Sequence, residues 1–390
     1  MNTVHHDDDF GHVRPAHAGG SAPAALPAGA EFLVPPTKTL QVGGREVGPG
    51  KPTFVIAELG VNHDGNLNKA LELVKVAAAC GADAIKLQVF RATTLMHPSA
   101  AFAGYQRERV AESNPIDMLR RYELSRDDLR TIVRAATDLR LATLATPFSL
   151  SDVDTLAGLR LPAVKIASPD LVNLPLLREV AHLGRPMILS TGAATLDEVR
   201  TTAGWLDGLH VPYALLHCVS SYPVAAADAQ LGWVSELDRA FDVPVGYSDH
   251  TTHPMAGALA VAAGATILEK HLTYDQRARG PDHSASADPA LFERYVRHVR
   301  EADAMRGLPG KCVLGCERDV RTVSRQSLVL RRTLRAGEQI AAKDLAVQRP
   351  GTGISAARWD DVVGSRAACD IPAGTMLQPD MVVGYVAMAA

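Results

Sequence analysis

Phe54-Val55-Ile56-Ala57-Glu58 is a short apolar run that ends in a charge, and Leu67, Ala70, Leu71, Val74 and Ala78 follow it at the spacing of one helix face, closed by Gly81. A brief apolar run reads as a buried strand, and apolar residues three and four apart read as an amphipathic helix. A glycine just past the last turn takes the left-handed conformation that ends such a helix. The unit then repeats. Ala84–Gln88, Ala142–Thr146, Ala163–Ala167, Met187–Ser190, Tyr213–His217, Val243–Tyr247 and Ile267–His271 are further apolar runs separated by helical patterns. Eight strands that each feed a helix, between about Thr53 and Met305, match the roughly 250 residues of a parallel barrel. A doubly wound open sheet would want a glycine-rich dinucleotide loop after the first strand, and Leu59-Gly60-Val61-Asn62-His63 is not one. The expected class is α/β, a (β/α)8 TIM barrel over residues 37–305.

Outside that rhythm the chain changes character. Residues 1–36 mix His, Asp, Ala, Gly and Pro without periodicity and are expected to be a disordered tail. Leu40–Val42, Gly43-Gly44 and Arg45–Val47 read as a small hairpin, because a glycine pair tolerates the positive φ of a tight turn. A linker is expected over 306–324. A second, β-rich module follows over 325–390, with short strands and repeated glycine turns. Within it Gly351-x-Gly353 follows Pro350 and opens no helix, so it reads as a turn.

Composition narrows the function. The 390 residues are 47% hydrophobic, enough for one large core and a small second one. A net charge of −3 gives no global field for nucleic acid or an anionic membrane, so any phosphate must meet a local cluster of cations and amides. The most apolar internal stretch, Ala256–Leu268, is too short to span a bilayer, and no targeting segment is evident. Five cysteines form no disulfide framework and fit a reducing cytoplasm.

In this barrel class, chemistry sits at the C-terminal ends of the strands. Those ends read Glu58, Lys86 with Gln88, Thr146, Lys165 with Ser168, Ser190 with Thr191, His217, Ser248 with Asp249 and His250, and Glu269 with His271. Burying so many polar groups without partners would cost a few kcal/mol each, so they are expected to converge on a site. Lys86 and Lys165, with hydroxyls from Thr146, Ser168, Ser190 and Ser248, suit a small, multiply charged anion. Two other readings stay open: lysines paired with buried carboxylates, or a Schiff-base lysine. His250 and His271 end consecutive strands and could share one divalent ion, although a satisfied buried pair is the alternative. Glu58 and Asp282, the latter in Gly280-Pro281-Asp282-His283, are carboxylates able to handle protons, or else partners to Lys86 and the histidines.

The segments FVIAELGVNHDGNLNKALELV, ADAIKLQVF, ATPFS, VKIAS, ILSTG, LLHCVSSYP, VGYSDHT and ILEKH resemble, in order, the signatures of the sialic acid synthase family, which includes the N-acetylneuraminate, legionaminate and pseudaminate synthases. RQSLVLRRTLRAGEQIAAKDLAVQRPGTGI looks like that family's C-terminal antifreeze-like (SAF) domain. The resemblance implies a transferase that condenses phosphoenolpyruvate with an N-acyl amino-hexose, N-acetylmannosamine or a related 2,4-diacetamido sugar, and releases phosphate. It implies Glu58 as catalytic glutamate, with Lys86, Thr146, Lys165, Ser168, Ser190 and Ser248 as phosphoenolpyruvate contacts. Gln88, Tyr222 and Asp282 fall on other active-site positions. His250 and His271 match its metal ligands at the family's interval, with Mn²⁺ expected and Mg²⁺ or Co²⁺ as substitutes. Arg349 matches an arginine that one subunit extends over its partner's barrel to hold the N-acyl group, which implies a domain-swapped homodimer. Pro169-Asp170 and Ser220 depart from the bacterial N-acetylneuraminate synthases and leave the sugar open to a legionaminate-type compound.

Two rival functions remain at this level. One is a barrel aldolase or lyase that uses pyruvate through a Schiff base on Lys165 or Lys86. The other is a non-catalytic sugar-binding protein, which the joint presence of Glu58, both lysines and both histidines disfavours.

Overall fold

The computed structural model describes residues 38–100, 114–307 and 310–386. The expected tail over 1–36 lies outside them. The chain divides into two compact units, Met1–Leu308 and Pro309–Ala390.

The first unit is the expected barrel. After a hairpin of β1 (Leu40–Val42) and β2 (Arg45–Val47), eight strands follow: β3 (Phe54–Gly60), β4 (Ala84–Val89), β5 (Ala142–Pro147), β6 (Ala163–Ile166), β7 (Met187–Ser190), β8 (Tyr213–Cys218), β9 (Val245–Asp249) and β10 (Ile267–His271). They pair in parallel in sequence order, and β10 returns to β3 to close the ring. One strand start differs from expectation, and several strand ends shift by a residue or two. The seventh barrel strand runs Val245–Asp249 rather than Val243–Tyr247, because Pro244 has no N–H for the ladder and the strand starts after it.

Side chains alternate between the barrel interior and the surrounding helices. Outward, Val55, Ala57, Ile85, Leu87, Val164, Leu189 and Leu268 join the large helix-facing core. Inward, Phe54, Ile56, Ala84, Leu144, Ala163, Ile188, Leu216 and Ile267 form a smaller apolar cluster, and Leu40, Val42 and Val47 of the hairpin belong to it. The hairpin therefore stoppers the N-terminal end of the barrel. One further inward step along each strand the character reverses, to Glu58, Lys86, Lys165, Ser190, Ser248, Glu269 and His271, all buried.

The second unit has its own core of Leu328, Leu330, Leu334, Ile340, Leu345, Ile354, Val362 and Ile371, among others. Strands β11 (Ser327–Leu330) and β12 (Leu345–Gln348) pair antiparallel, and isolated bridges tie in the remaining turns. Gly351 and Gly353 lie in a turn as expected. The expected linker is shorter than 306–324. Arg318–Ser324 is a helix, preceded by a turn in which Glu317 accepts from the Leu314 N–H at 2.9 Å. Gly351 N donates to Thr322 O at 2.8 Å, so this helix belongs to the second unit. The segment contains neither Gly nor Pro, so nothing in it resists helix formation.

Candidate active site

The polar layer opens into a cavity of about 300 Å³ at the C-terminal ends of the strands. Glu58, Lys86, Gln88, Lys165, Ser168 and Ser190 line it, together with Tyr222, Ser248, His250, His271 and Asp282. Strand ends alone bring most of these together. Asp282 arrives on the loop after β10, Tyr222 on the loop after β8. Thr146 does not line the cavity: it is buried and its hydroxyl has no hydrogen-bond partner. Arg349 is exposed in the second unit, at the end of β12.

At the centre is a residue the sequence reading placed at a strand end without assigning it a role. Glu269 Oε1 accepts from Lys86 Nζ at 3.1 Å and from Ser248 Oγ at 3.1 Å, and its Oε2 stands 3.9 Å from Lys165 Nζ. Lys86 Nζ is also 3.4 Å from Glu58 Oε1, which in turn accepts from Gln88 Nε2 at 3.0 Å. Lys165 Nζ donates to Ser190 Oγ at 2.6 Å and to the Ile166 carbonyl at 2.8 Å. Both lysines are thus paired with buried carboxylates, the blander of the readings weighed from sequence. Glu269 was detectable: it stands two residues before His271 on one strand and so shares its face.

The pairing does not neutralise the lysines. Burial pushes the Glu58 carboxyl up to about 7, with Lys86 opposing and Glu269 adding to the effect. Burial also disfavours charge on Glu269, but Lys165 and Lys86 overcome it and hold this carboxyl down to about 2. Burial alone would depress Lys86; Glu269 and Glu58 outweigh it and hold the ammonium above its usual range. Lys165 falls to about 8 through burial, despite Glu269. Near neutral pH the floor carries two ammonium groups against one firmly ionised carboxylate and one on the edge of protonation. That surplus of positive charge, next to hydroxyl groups, is suited to an anion.

A β-bulge between Glu58 and Gly60 concentrates the carboxylates. Gly60 has φ +51°, and a Cβ there would stand 3.3 Å from Glu58 Oε1, 3.4 Å from Gln88 Nε2 and 3.5 Å from Asp282 Oδ2. Three polar groups therefore converge on bare backbone, where glycine alone leaves room at low conformational cost.

The histidine rings lie 5.3 Å apart between centroids, and the Tyr222 ring packs 4.2 Å from His250. His250 Nδ1 is 2.8 Å from the Val219 carbonyl, which can only accept, so Nδ1 carries a proton. Burial disfavours a second proton, but Cys218 and the Val219 carbonyl outweigh it and raise the pKa, so Nε2 offers a lone pair in the neutral form. Burial, then repulsion from His250 and Lys86, keeps His271 neutral, with its pKa well below the usual range. His271 Nδ1 is buried without a hydrogen-bond partner and stands 3.6 Å from Asp282 Oδ2. Two imidazole lone pairs, one of them orphaned, fit a divalent cation that takes its other ligands from water and substrate. Among the described residues no group of three or more His, Cys, Asp or Glu side chains is disposed to hold a metal.

Above the floor the wall turns apolar: Val61, Phe90, Leu95, Met96, Met118, Leu119 and Phe148 line the outer cavity. Val61, Phe90 and Met118 form a small cluster with Tyr122. None of these was expected from sequence, since they come from loops and short helices far apart in the chain.

Residues 73–311 match the family model described as NeuB family, and residues 325–383 match the SAF domain. The chain belongs to the NeuB family. Among NeuB relatives, the N,N'-diacetyllegionaminic acid synthase of Legionella pneumophila is 39% identical over 336 residues, 85% of this chain and 94% of its own length. The human N-acetylneuraminate-9-phosphate synthase is 34% identical over 275 residues, 70% of this chain and 77% of its own. A solved structure of the N-acetylneuraminic acid (sialic acid) synthetase of Leptospira borgpetersenii, in complex with citrate, superposes with a TM-score of 0.67 at 30% identity, covering 73% of this chain and 95% of that one. No helix among the described residues is long and apolar enough to cross a membrane.

Proposed function

We propose that this NeuB-family chain is a nonulosonic acid synthase that joins phosphoenolpyruvate to an N-acyl amino-hexose and releases phosphate. The observation that carries the reading is the stacking of two environments in one cavity. A lysine-rich floor takes the anion, and an apolar wall above it takes the acyl-bearing sugar. In the reaction, C3 of phosphoenolpyruvate bonds to the aldehyde carbon of the open-chain sugar, whose oxygen gains a proton. Water adds at C2, the bond from C2 to the bridging oxygen breaks, and inorganic phosphate departs with that oxygen.

Lys86 and Lys165 bind the phosphate and carboxylate groups, Ser168 and Ser190 donate to them, and Ser248 does so once its hydroxyl turns from Glu269. Thr146, buried beside this layer, supports the same anion. Glu58, poised near neutrality, accepts the proton of the attacking water, with Asp282 beside it to relay protons. Gln88 and Tyr222 orient the sugar. His250 and His271 would hold a Mn²⁺ ion, or Mg²⁺ or Co²⁺ in its place, which would supply polarisation of the aldehyde oxygen. Arg349 of a second copy completes the sugar site in a domain-swapped homodimer, its guanidinium donating to the N-acyl carbonyl. The exposure of Arg349 on its own unit supports that role. Five unpaired cysteines support a cytoplasmic location.

The depressed pKa of Lys165 favours one alternative, a Schiff base with pyruvate. Against it, the Lys165 ammonium already donates to Ser190 and Ile166, an arrangement that stabilises charge. The deciding experiment is phosphate release from phosphoenolpyruvate against a panel of 2-acetamido- and 2,4-diacetamido-hexoses with Mn²⁺. Release with at least one sugar is expected; silence from all of them refutes the proposal.

A further inference from the structure

The outward faces of the barrel strands are apolar where they meet the helices, with one charged interruption. Asp249 and Lys270 face out from β9 and β10, and both are buried, at 0% and 1% exposure. Lys270 Nζ lies 3.1 Å from Asp249 Oδ2 and 5.5 Å from the centre of the Tyr295 ring on the helix Pro289–Arg306. A buried ion pair of this kind is poor evidence for stability, since apolar replacements of similar volume are often neutral or stabilising. Its position suggests a different use.

Asp249 precedes His250 and Lys270 precedes His271. The pair also grips the residue after His250 from both sides. Asp249 Oδ1 accepts from Thr251 N at 2.8 Å, and Lys270 Nζ donates to the Thr251 carbonyl. Thr251 in turn bridges to Val224, and Val224 N donates to the His250 carbonyl at 3.0 Å. The backbone of His250 is thereby held between its own strand, the strand of His271 and the loop that carries Tyr222.

We infer that Asp249 and Lys270 are positioning residues that hold the His250 and His271 imidazoles at the separation needed to share one divalent cation. Neither side chain faces the cavity. They act by locking the turn Asp249-His250-Thr251 to β10, so that His250 Nε2 stays aimed inward. Without the clamp the turn can relax while the barrel remains closed. The cation would then meet two independent imidazoles instead of a prepared pair.

This rests on the reading of the two histidines as cation ligands, and the test separates the two ideas. Mn²⁺ binding to the metal-stripped full-length protein is measured by electron paramagnetic resonance, alongside thermal unfolding and the KM for phosphoenolpyruvate. In Lys270→Met/Asp249→Leu the protein should stay folded with a lowered thermal midpoint, because the Thr251 N–H and carbonyl lose their buried partners. Mn²⁺ should bind about 10- to 100-fold more weakly, the loss typical when groups that orient ligands are removed. The phosphoenolpyruvate KM should stay within about twofold of the wild type. If the double variant does not fold, Lys270→Gln/Asp249→Asn decides, a pair without charge that keeps polar atoms for the Thr251 backbone, and Lys270→Arg should retain part of the affinity. Wild-type Mn²⁺ affinity in either double variant, once folded, overturns the inference. A wild-type protein that binds no Mn²⁺ overturns the ligand assignment itself.

Discussion

Replacing Glu58 by Gln should make the barrel more stable at pH 8 and leave it unchanged at low pH. In the folded chain Glu58 holds its proton up to about pH 7, against 4.5 for the free group, chiefly because burial penalises the carboxylate. Between those values the folded state binds more protons than the unfolded one. Stability therefore falls as pH rises through this window and levels off above about pH 7. At about 1.4 kcal/mol per pKa unit the full cost approaches roughly 3 kcal/mol. Gln keeps the shape, can still accept from Gln88, and has no proton to lose. Other groups titrate nearby, His63 among them at about 4 through burial. Both proteins carry those groups, so the difference between them isolates Glu58. Guanidinium unfolding followed by circular dichroism from pH 5 to pH 8 gives the gap at each pH. It should widen by roughly 3 kcal/mol in favour of the variant, with the change complete near pH 7. Turnover should meanwhile drop by about 10²–10⁴, the usual contribution of a general acid or base. A gap that is constant across this range means Lys86 keeps Glu58 ionised throughout, and refutes the reasoning.

Other consequences are quicker to check. His271→Ala should stay folded yet retain no Mn²⁺ by elemental analysis after gel filtration, and EDTA should stop turnover in the wild type until Mn²⁺ is restored. Borohydride added with pyruvate should leave Lys86 and Lys165 unmodified by mass spectrometry; an adduct on either would favour the imine route. Leu119→Ala thins the apolar wall without touching the floor, so the sugar KM should rise severalfold while that for phosphoenolpyruvate holds. With ¹⁸O at the bridging position of phosphoenolpyruvate, the label should leave in the phosphate; its retention in the sugar acid would exclude C–O cleavage.

The barrel was legible because its signal is repeated. Each apolar run is short, but eight of them in register with helical patterns leave little alternative, and only the strand at Pro244 starts elsewhere than expected. The floor was legible for a related reason: strand ends are a position in the fold, so Lys86, Lys165, His250 and His271 could be placed before any coordinates. What sequence does not carry is the pairing across the ring. That Lys86 sits between Glu58 and Glu269 depends on the register by which β10 closes on β3. The apolar wall escaped because Phe90, Met118 and Phe148 lie on different connections, none with a periodicity that points inward. Asp249 was read as a strand end that joins the site, but it faces outward and pairs with Lys270; Lys270 escaped because charge on an outward strand position contradicts the expectation that such positions are apolar.

The hairpin Leu40–Val47 at the foot of the barrel has a kinetic consequence. Leu40, Val42 and Val47 seal the foot of the barrel's own apolar layer, so the polar interior is a cup with a single rim. Whatever rests on Lys86 and Lys165 lies beneath whatever leans on Leu95, Leu119 and Phe148. Loading is then compulsory in sequence, the small anion before the sugar. A sugar that arrives early blocks the vessel instead of waiting in it, so excess sugar should inhibit competitively against phosphoenolpyruvate.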